Sequence, residues 1–182
     1  MQLEFATQFA KLEGAAFVSG DAVGKPEGFM TNGDVAEVVS GNATAITADG
    51  LLTLVHSVKS EYMNNATFVF NRTTLASIRK LKDTAGQYVF QAGMMLTGGV
   101  MNTVLGHPYI EATDMPSEGS GTFPVAFGDF RRGYLVVDRI SMSVQRDPFT
   151  QATSGNVRYI ARRRTGGQVV QAEAIVKQKC ST

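Results

Sequence analysis

Residues 126–146 read AFGDFRRGYLVVDRISMSVQR, and within them the chain changes character. Residues 1–130 carry 7 Lys and Arg against 13 Asp and Glu, a net charge of −6, whereas residues 131–182 carry 10 against 3, a net charge of +7. Eight of the ten arginines lie between Arg131 and Arg164. Because β-branched and aromatic runs also dominate from here on, the stretch predicts a boundary between an acidic region and a basic, strand-rich region.

The basic region has two readings. It is either the solvated side of a sheet or a contact surface for an acidic partner, which could be nucleic acid or the acidic half of a neighbouring copy. The whole chain has a net charge of only +1. A free nucleic-acid binder is usually basic overall, so the near-neutral total favours a neighbouring copy as the partner.

The second half of the chain predicts short strands separated by Gly, Pro and Asp. A glycine pair, Gly166-Gly167, predicts a tight turn between the last two of them. The predicted strands are Tyr109–Ala112, Phe123–Phe127, Tyr134–Arg139, Ser141–Gln145, Val157–Arg164 and Gln168–Val176.

The first half predicts mainly helices. Residues 1–18 form an amphipathic pattern with no N-cap signal at its start, so we expect a longer helix shortened by processing or truncation. Its predicted apolar face comprises Phe5, Phe9, Leu12 and Ala16. Helices mostly precede strands instead of alternating with them, which predicts an α+β fold and not a doubly wound sheet.

Two further helices have a cap and an apolar stripe. Asp49 is the predicted N-cap of the first, whose stripe is Leu51, Leu54, Val55, Val58 and Tyr62. Asn71 is the predicted N-cap of the second, whose stripe is Leu75, Ile78 and Leu81, and a buried strand at 67–70 precedes it. The Met- and Gly-rich residues 94–101 predict a mobile loop.

Residues with catalytic or ligand-binding chemistry are scattered. His56 and His107 have no zinc-ligand spacing, so both are interpreted as structural. The single cysteine, Cys180, excludes a disulfide framework, fits a reducing compartment and is interpreted as a tail thiol. The glycines at 20–26 fail the spacing of a phosphate loop. No stretch approaches the roughly 18 apolar residues of a membrane span. The sequence therefore predicts no enzyme, no cofactor, no metal and no membrane partner.

Four groups of segments follow one another along nearly the whole chain. They are FAKLEGAAFVSGD (9–21) with GKPEGF (24–29), NRTTL (71–75) with LKDTAGQY (81–88), LGHPY (105–109) with DMP (114–116), and AFGDFRRGY (126–134) with DR (138–139) and RDPF (146–149). In order and spacing the set resembles the tailed-phage major capsid protein family with the Hong Kong 97-like fold.

The resemblance implies an A domain with a central sheet flanked by helices, and a P domain with a spine helix and a long β-ribbon. The expected boundaries are 1–32 for the end of the spine helix and its loop, 33–130 for the A domain, 131–168 for the ribbon, and 169–182 for a strand returning to the A domain. It implies a shell protein of a phage, prophage or phage-derived particle, with copies meeting in pentamers and hexamers. A nanocompartment shell protein of the encapsulin type is the alternative, followed by a small α+β ligand-binding or enzymatic domain.

The sequence also departs from the family pattern. The N-terminal arm and extended E-loop of full-length members do not precede residue 1, so we expect this chain to remain monomeric or form small rings. Some members form a Lys–Asn link between subunits, with the Lys in the E-loop. Asn156 falls near the expected Asn, but residues 157–164 contain no acid, so self-catalysed cross-linking is not expected.

The partners implied are other copies of the chain, with packaged DNA involved only indirectly. The implied location is the virion capsid, after assembly in the bacterial cytoplasm. Guanidinium groups pair with carboxylates in a bidentate manner, so arginines of the basic region are the candidate inter-subunit contacts. These candidates are Arg131, Arg132, Arg146, Arg158 and Arg162.

Overall fold

The structure, a computed structural model, describes residues 2–83, 85–89 and 103–182. Helices and strands are mixed along the chain, which confirms the predicted α+β class. The helices are α1 (Gln2–Ser19), α2 (Ala48–Ser57), α3 (Arg72–Lys80) and α4 (Phe130–Gly133). The strands are β1 (Ala36–Val39), β2 (Thr67–Phe70), β3 (Thr103–Val104), β4 (His107–Glu111), β5 (Val125–Gly128), β6 (Tyr134–Asp147), β7 (Arg158–Val169) and β8 (Ile175–Lys179). The predicted loop at 94–101 lies outside the described residues.

The strands form two separate sheets. Six of them make a mixed sheet in the order β1-β8-β5-β2-β4-β3, and β6 pairs with β7 in an antiparallel ribbon. Strand β8 runs parallel to β1 and antiparallel to β5, so the end of the chain returns to the interior of the six-stranded sheet.

Both faces of the six-stranded sheet are covered, as the period-two alternation of its strands requires. Phe68, Phe70 and Phe127 pack against α2 and α3. Val69, Ala126 and Ile175 point the other way, into a second cluster that contains Val18, Phe29 and Phe130. The end of α1 and the loop after it therefore close the second face.

The caps and stripes of the two middle helices are mostly as predicted. The Asn71 side chain accepts hydrogen bonds from Thr73 N and Thr74 N, which confirms the predicted cap of α3. The cap of α2 is Thr47, whose Oγ1 accepts from Gly50 N at 3.0 Å, so the prediction of Asp49 was wrong. Asp49 lies inside the first turn, where its charge still favours the positive end of the helix dipole. All five residues of the stripe predicted for α2 are buried, but α2 ends at Ser57, so Val58 and Tyr62 lie beyond the helix.

Helix α1 has the predicted extent, but its predicted apolar face is not a buried one. Leu12 is 69% exposed, whereas Val18 is buried and Phe17 packs edge-on against Tyr134 at 5.8 Å. A Cβ at Gly14 would lie 2.6 Å from an Asp114 carboxylate oxygen, so glycine allows this close approach. The helix is thus anchored mainly at its C-terminal end, while Phe5, Phe9 and Ala16 are half-buried and Leu12 is exposed.

The ribbon differs from the sequence prediction at two points. Residues 134–139 and 141–145 belong to one strand, β6, whose register against β7 shifts around Ile140. Gly166 and Gly167 do not form a turn, because they pair with Val137 and Val136 inside β7. A Cβ at Gly167 would lie 2.5 Å from the Tyr134 hydroxyl oxygen, so glycine lets that side chain cross the strand.

The C-terminal end of the chain packs against a neighbouring segment and is not a free tail. Cys180 is buried, its N–H donates to Thr122 O at 2.9 Å, and its carbonyl accepts from Gly121 N. The prediction of a tail thiol was therefore wrong, because the neighbouring 119–122 segment packs over the end of β8.

Candidate inter-subunit surface on the ribbon

The base of the ribbon is fixed to the loop that follows α1. The Tyr134 hydroxyl donates to Glu27 O at 2.6 Å, and Glu27 N donates to Gly167 O at 2.8 Å. Burial and the nearby Glu27 charge raise the pKa of Tyr134 to about 12. The neutral phenol therefore persists as a donor at this joint over the whole physiological range.

Arg163 fixes the middle of the ribbon to helix α1. Its guanidinium lies 3.1 Å from Glu13 Oε2 and 2.9 Å from Asp138 Oδ2. The neighbouring Thr165 hydroxyl, and then the Arg163 guanidinium, lower the pKa of the Asp138 carboxyl. Sequence reasoning missed Arg163, although period-two alternation already separates it from Arg162 and Arg164.

The predicted contact arginines occupy three places. Arg158 and Arg162 share one face of the ribbon, because their register partners are Asp147 and Ser143, and directly paired residues point to the same side. Arg146 pairs with Tyr159 and faces the opposite side. Their side chains are exposed.

Arg131 and Arg132 lie in α4, at the junction of ribbon and sheet. Arg132 is 5.8 Å from the ring centre of Tyr62, a cation–π distance. The structure therefore places Arg158 and Arg162 on one face of the ribbon, Arg146 on the other face, and Arg131 and Arg132 at its base. Whether these arginines contact a neighbouring copy stays a prediction.

An ionic cluster reinforces the same junction. The Tyr62 hydroxyl donates to Glu173 Oε1 at 2.9 Å, and Lys59 pairs with the other carboxylate oxygen of Glu173. These contacts lower the pKa of Glu173 and raise the pKa of Lys59. The hydrogen bond to Glu173 raises the pKa of Tyr62 to about 12.

Apolar side chains are exposed along the ribbon. Leu135, Val136 and Val137 are consecutive, so they expose apolar surface on both faces, each about half accessible. At the tip, Phe149 is 85% exposed on a turn in which Asp147 Oδ1 accepts from Phe149 N and Thr150 N. A two-stranded ribbon is at best marginally stable alone in water, and contiguous exposed apolar surface marks interaction sites.

The described residues offer little chemistry beyond contact. No group of three or more His, Cys, Asp and Glu among them could hold a metal ion. In that same part of the chain, no helix combines the length and apolarity needed to cross a bilayer. His56 is exposed on α2, and His107 packs edge-on against Phe127 at 5.1 Å.

Comparison with known proteins gives a consistent picture. The sequence model of the Phage capsid family matches residues 1–180. The capsid of an empty GTA particle, computed with C5 symmetry, is 34% identical with a TM-score of 0.88, covering 100% of this chain and 65% of that chain. The capsid of a native GTA particle is 35% identical with a TM-score of 0.88, covering 100% and 64%. This chain therefore spans slightly less than two thirds of those capsid chains.

A more distant structure shares the fold alone. The holo-SrpI encapsulin complex from Synechococcus elongatus PCC 7942 is 20% identical with a TM-score of 0.71, covering 98% of this chain and 64% of that chain. A search of curated proteins gives no significant match.

Proposed function

Because this chain belongs to the phage capsid family, we propose that it is a structural protein whose copies associate into the icosahedral shell of a phage, prophage or phage-derived particle. The observation that carries the proposal is the match to two GTA capsid chains over 100% of this chain. The chain has the Hong Kong 97-like capsid fold. Family and fold point to a structural protein.

The physical chemistry of the ribbon supports this proposal. Full burial of a Val or Leu side chain is worth about 1.5–3 kcal/mol relative to full exposure, so burying the exposed half of one of these side chains is worth about 0.8–1.5 kcal/mol. Several of these per copy, repeated around a ring, offset the loss of translational and rotational freedom on association. Neighbouring copies would also cover both faces of a ribbon that is marginally stable by itself.

The distribution of charge also supports association between copies of the chain. Residues 131–182 carry +7 and residues 1–130 carry −6, so a head-to-tail contact between copies brings opposite charges together. We propose that the exposed arginines at 131, 132, 146, 158 and 162 serve those contacts, and that packaged DNA is an indirect partner. The location proposed is the capsid, assembled in the bacterial cytoplasm.

Expression of the complete gene product tests the function. Sedimentation velocity and negative-stain electron microscopy are expected to show ring-shaped capsomers or closed particles. A product that remains monomeric across the accessible concentration range overturns the proposal. Particles with a co-purifying enzyme inside them would favour the encapsulin-type alternative.

A further inference from the structure

A small polar pocket lies at the start of α3, on the acidic half of the chain. Its volume is about 320 Å³, and its lining consists of Thr73, Thr74, Ser77, Ser117 and Glu118. The Asn71 side-chain amide holds the two walls together, because it donates to Met115 O at 3.1 Å and to Ser117 Oγ at 3.0 Å. The pocket therefore lies between two segments that Asn71 holds together.

Two oxygen atoms of this pocket are buried without a partner. Thr74 is fully buried, and within the described part of the chain neither its Oγ1 nor Glu118 Oε1 has a hydrogen-bond partner. Burial raises the pKa of the Glu118 carboxyl, while the Ser77 hydroxyl acts in the opposite direction. Buried polar atoms are ordinarily paired, so a site with two unpaired acceptors suits a hydrogen-bond donor.

The lining excludes an anion. Asn71 Oδ1 already accepts from Thr73 N at 2.8 Å and from Thr74 N at 3.0 Å, so these amides at the N-terminus of α3 are occupied. An incoming phosphate or carboxylate would also meet the charge of Glu118. The pocket therefore lacks the free amides that make a helix N-terminus an anion site.

The lining also makes a poor metal site. Glu118 is its single carboxylate, whereas Ca²⁺ takes about six to eight oxygen ligands. A guanidinium group suits the pocket better, because its charge is spread over a plane and its five N–H donors can reach several oxygens together. No basic side chain of the described residues forms an ion pair with Glu118.

We propose that this pocket receives the guanidinium group of an arginine from a second copy of the chain, an inference that rests on the proposed shell function. The distribution of charge along the chain points to a second copy as the source of this arginine. Eight of the ten arginines lie at 131–164, and most of that segment is the exposed ribbon, while the pocket belongs to the half with a net charge of −6. In a head-to-tail ring, every copy presents one such pocket to one neighbour and several arginines to the other neighbour.

Titration with a small-molecule probe tests the chemistry of the pocket. When arginine methyl ester is added to this chain, the amide chemical shifts of Ser77 and Ser117 are expected to change and to reach a plateau as the site saturates. Citrulline methyl ester, the neutral isostere, is expected to bind at least about tenfold more weakly. Glu118→Gln is expected to weaken arginine binding by about the same factor, and Thr74→Val by less. Thermal unfolding checks that both variants fold.

Four outcomes of the titration overturn the site. Equal binding of citrulline would show that charge plays no part. Tighter binding of Ca²⁺ at the same residues would make it a metal site. The absence of any saturable shift, or an effect of Glu118→Gln no larger than that of Glu111→Gln on an exposed carboxylate, would leave a pocket that holds only water.

Assembly of the complete gene product tests the source of the arginine. If the wild type forms particles, Glu118→Gln is expected to weaken capsomer association about tenfold, with Glu111→Gln as the matched control. Unchanged assembly of Glu118→Gln would refute a second copy as the occupant. If the wild type forms no particles, the proposed function fails, and the probe titration still decides the chemistry of the pocket.

Discussion

Lys177 shows how one buried charge can join distant parts of this chain. The residue is 3% exposed in the six-stranded sheet, and its ammonium donates to Met30 O at 3.1 Å and to Asn32 O at 3.0 Å. It also lies 3.2 Å from Glu37 Oε1 and 4.8 Å from the ring centre of Phe123. A cation withdrawn from water is tolerated only when it is paired in this way.

Lys177→Met is expected to lower the free energy of unfolding by about 2–4 kcal/mol, because two buried carbonyls lose a charged donor. Chemical denaturation measures the change. The matched control is Lys179→Met on the same strand, whose side chain is less buried and is expected to contribute less than about 0.5 kcal/mol. Equal losses in the two variants would contradict the role given to Lys177.

The raised pKa of Tyr62 predicts that the folded protein loses stability at alkaline pH. Its pKa in the folded protein is about 12, above the ordinary value of 10.0, because the neutral phenol donates to Glu173. A raised pKa stabilises the protonated form, so this contribution is present below pH 10 and is lost as pH rises towards 12. Ultraviolet absorbance is expected to show late ionisation of Tyr62 and Tyr134.

The variant Tyr62→Phe is the control for that titration. It is expected to remove one late-ionising tyrosine and to reduce the decline in melting temperature between pH 10 and 12. If the decline is unchanged, the hydrogen bond to Glu173 does not couple Tyr62 to stability.

Among single residues, the sequence predicts what is encoded locally and misses what the fold brings together. Asn71 was recognisable as a cap because the helix pattern begins directly after it. Cys180 was not recognisable as buried, since its cover comes from residues 119–122. Thr74 and Glu118 are 44 positions apart, so the local sequence around either residue does not indicate the pocket that they share.

At the scale of elements, the cap of α3 yields the sharpest test. Asn71→Ala removes the acceptor for two helix amides and is expected to cost about 1–2 kcal/mol of stability. Asn71→Asp retains the acceptor and loses the donor to Met115 O, so it is expected to recover most of the loss. Thermal denaturation compares the two variants, and identical losses would show that capping is not the cause.

Sequence patterns describe the short elements well and the ribbon less well. Strand β2 has the predicted bounds because its buried run ends at the Asn71 cap. Gly166-Gly167 suggested a turn, since glycine permits both turns and close side-chain contacts. In the structure, Gly167 allows a close side-chain contact and not a turn. Only the position of Tyr134 on the partner strand distinguishes these two roles.

For the whole molecule, charge reversal separates the two faces of the ribbon. Arg146→Glu and Arg158→Glu alter opposite faces, and each is expected to weaken association of the complete gene product by about tenfold or more. Lys11→Glu, at an exposed position of α1 that belongs neither to the ribbon nor to the pocket at the start of α3, is the matched control and is expected to leave association unchanged. If both ribbon variants assemble normally, the proposed contact role is wrong.

Duplex DNA supplies the complementary measurement for the same arginines. Binding at physiological salt is expected to be weak, because the acidic half of the chain opposes the phosphate backbone. Tight binding with a steep salt dependence would instead place the basic region against the genome.

The fixed base of the ribbon has a geometric consequence for any particle built from it. From Gly167 at this base to Arg158, strand β7 advances nine residues, so at about 3.3 Å per residue the ribbon is a lever about 30 Å long. A rotation of about 5° where Tyr134 and Gly167 meet Glu27, with the Arg163–Glu13 ion pair adjusting to it, would move the far end by about 2.6 Å. That swing is comparable to the width of one water layer, so small angular adjustments at this joint would be enough to change the local curvature between copies.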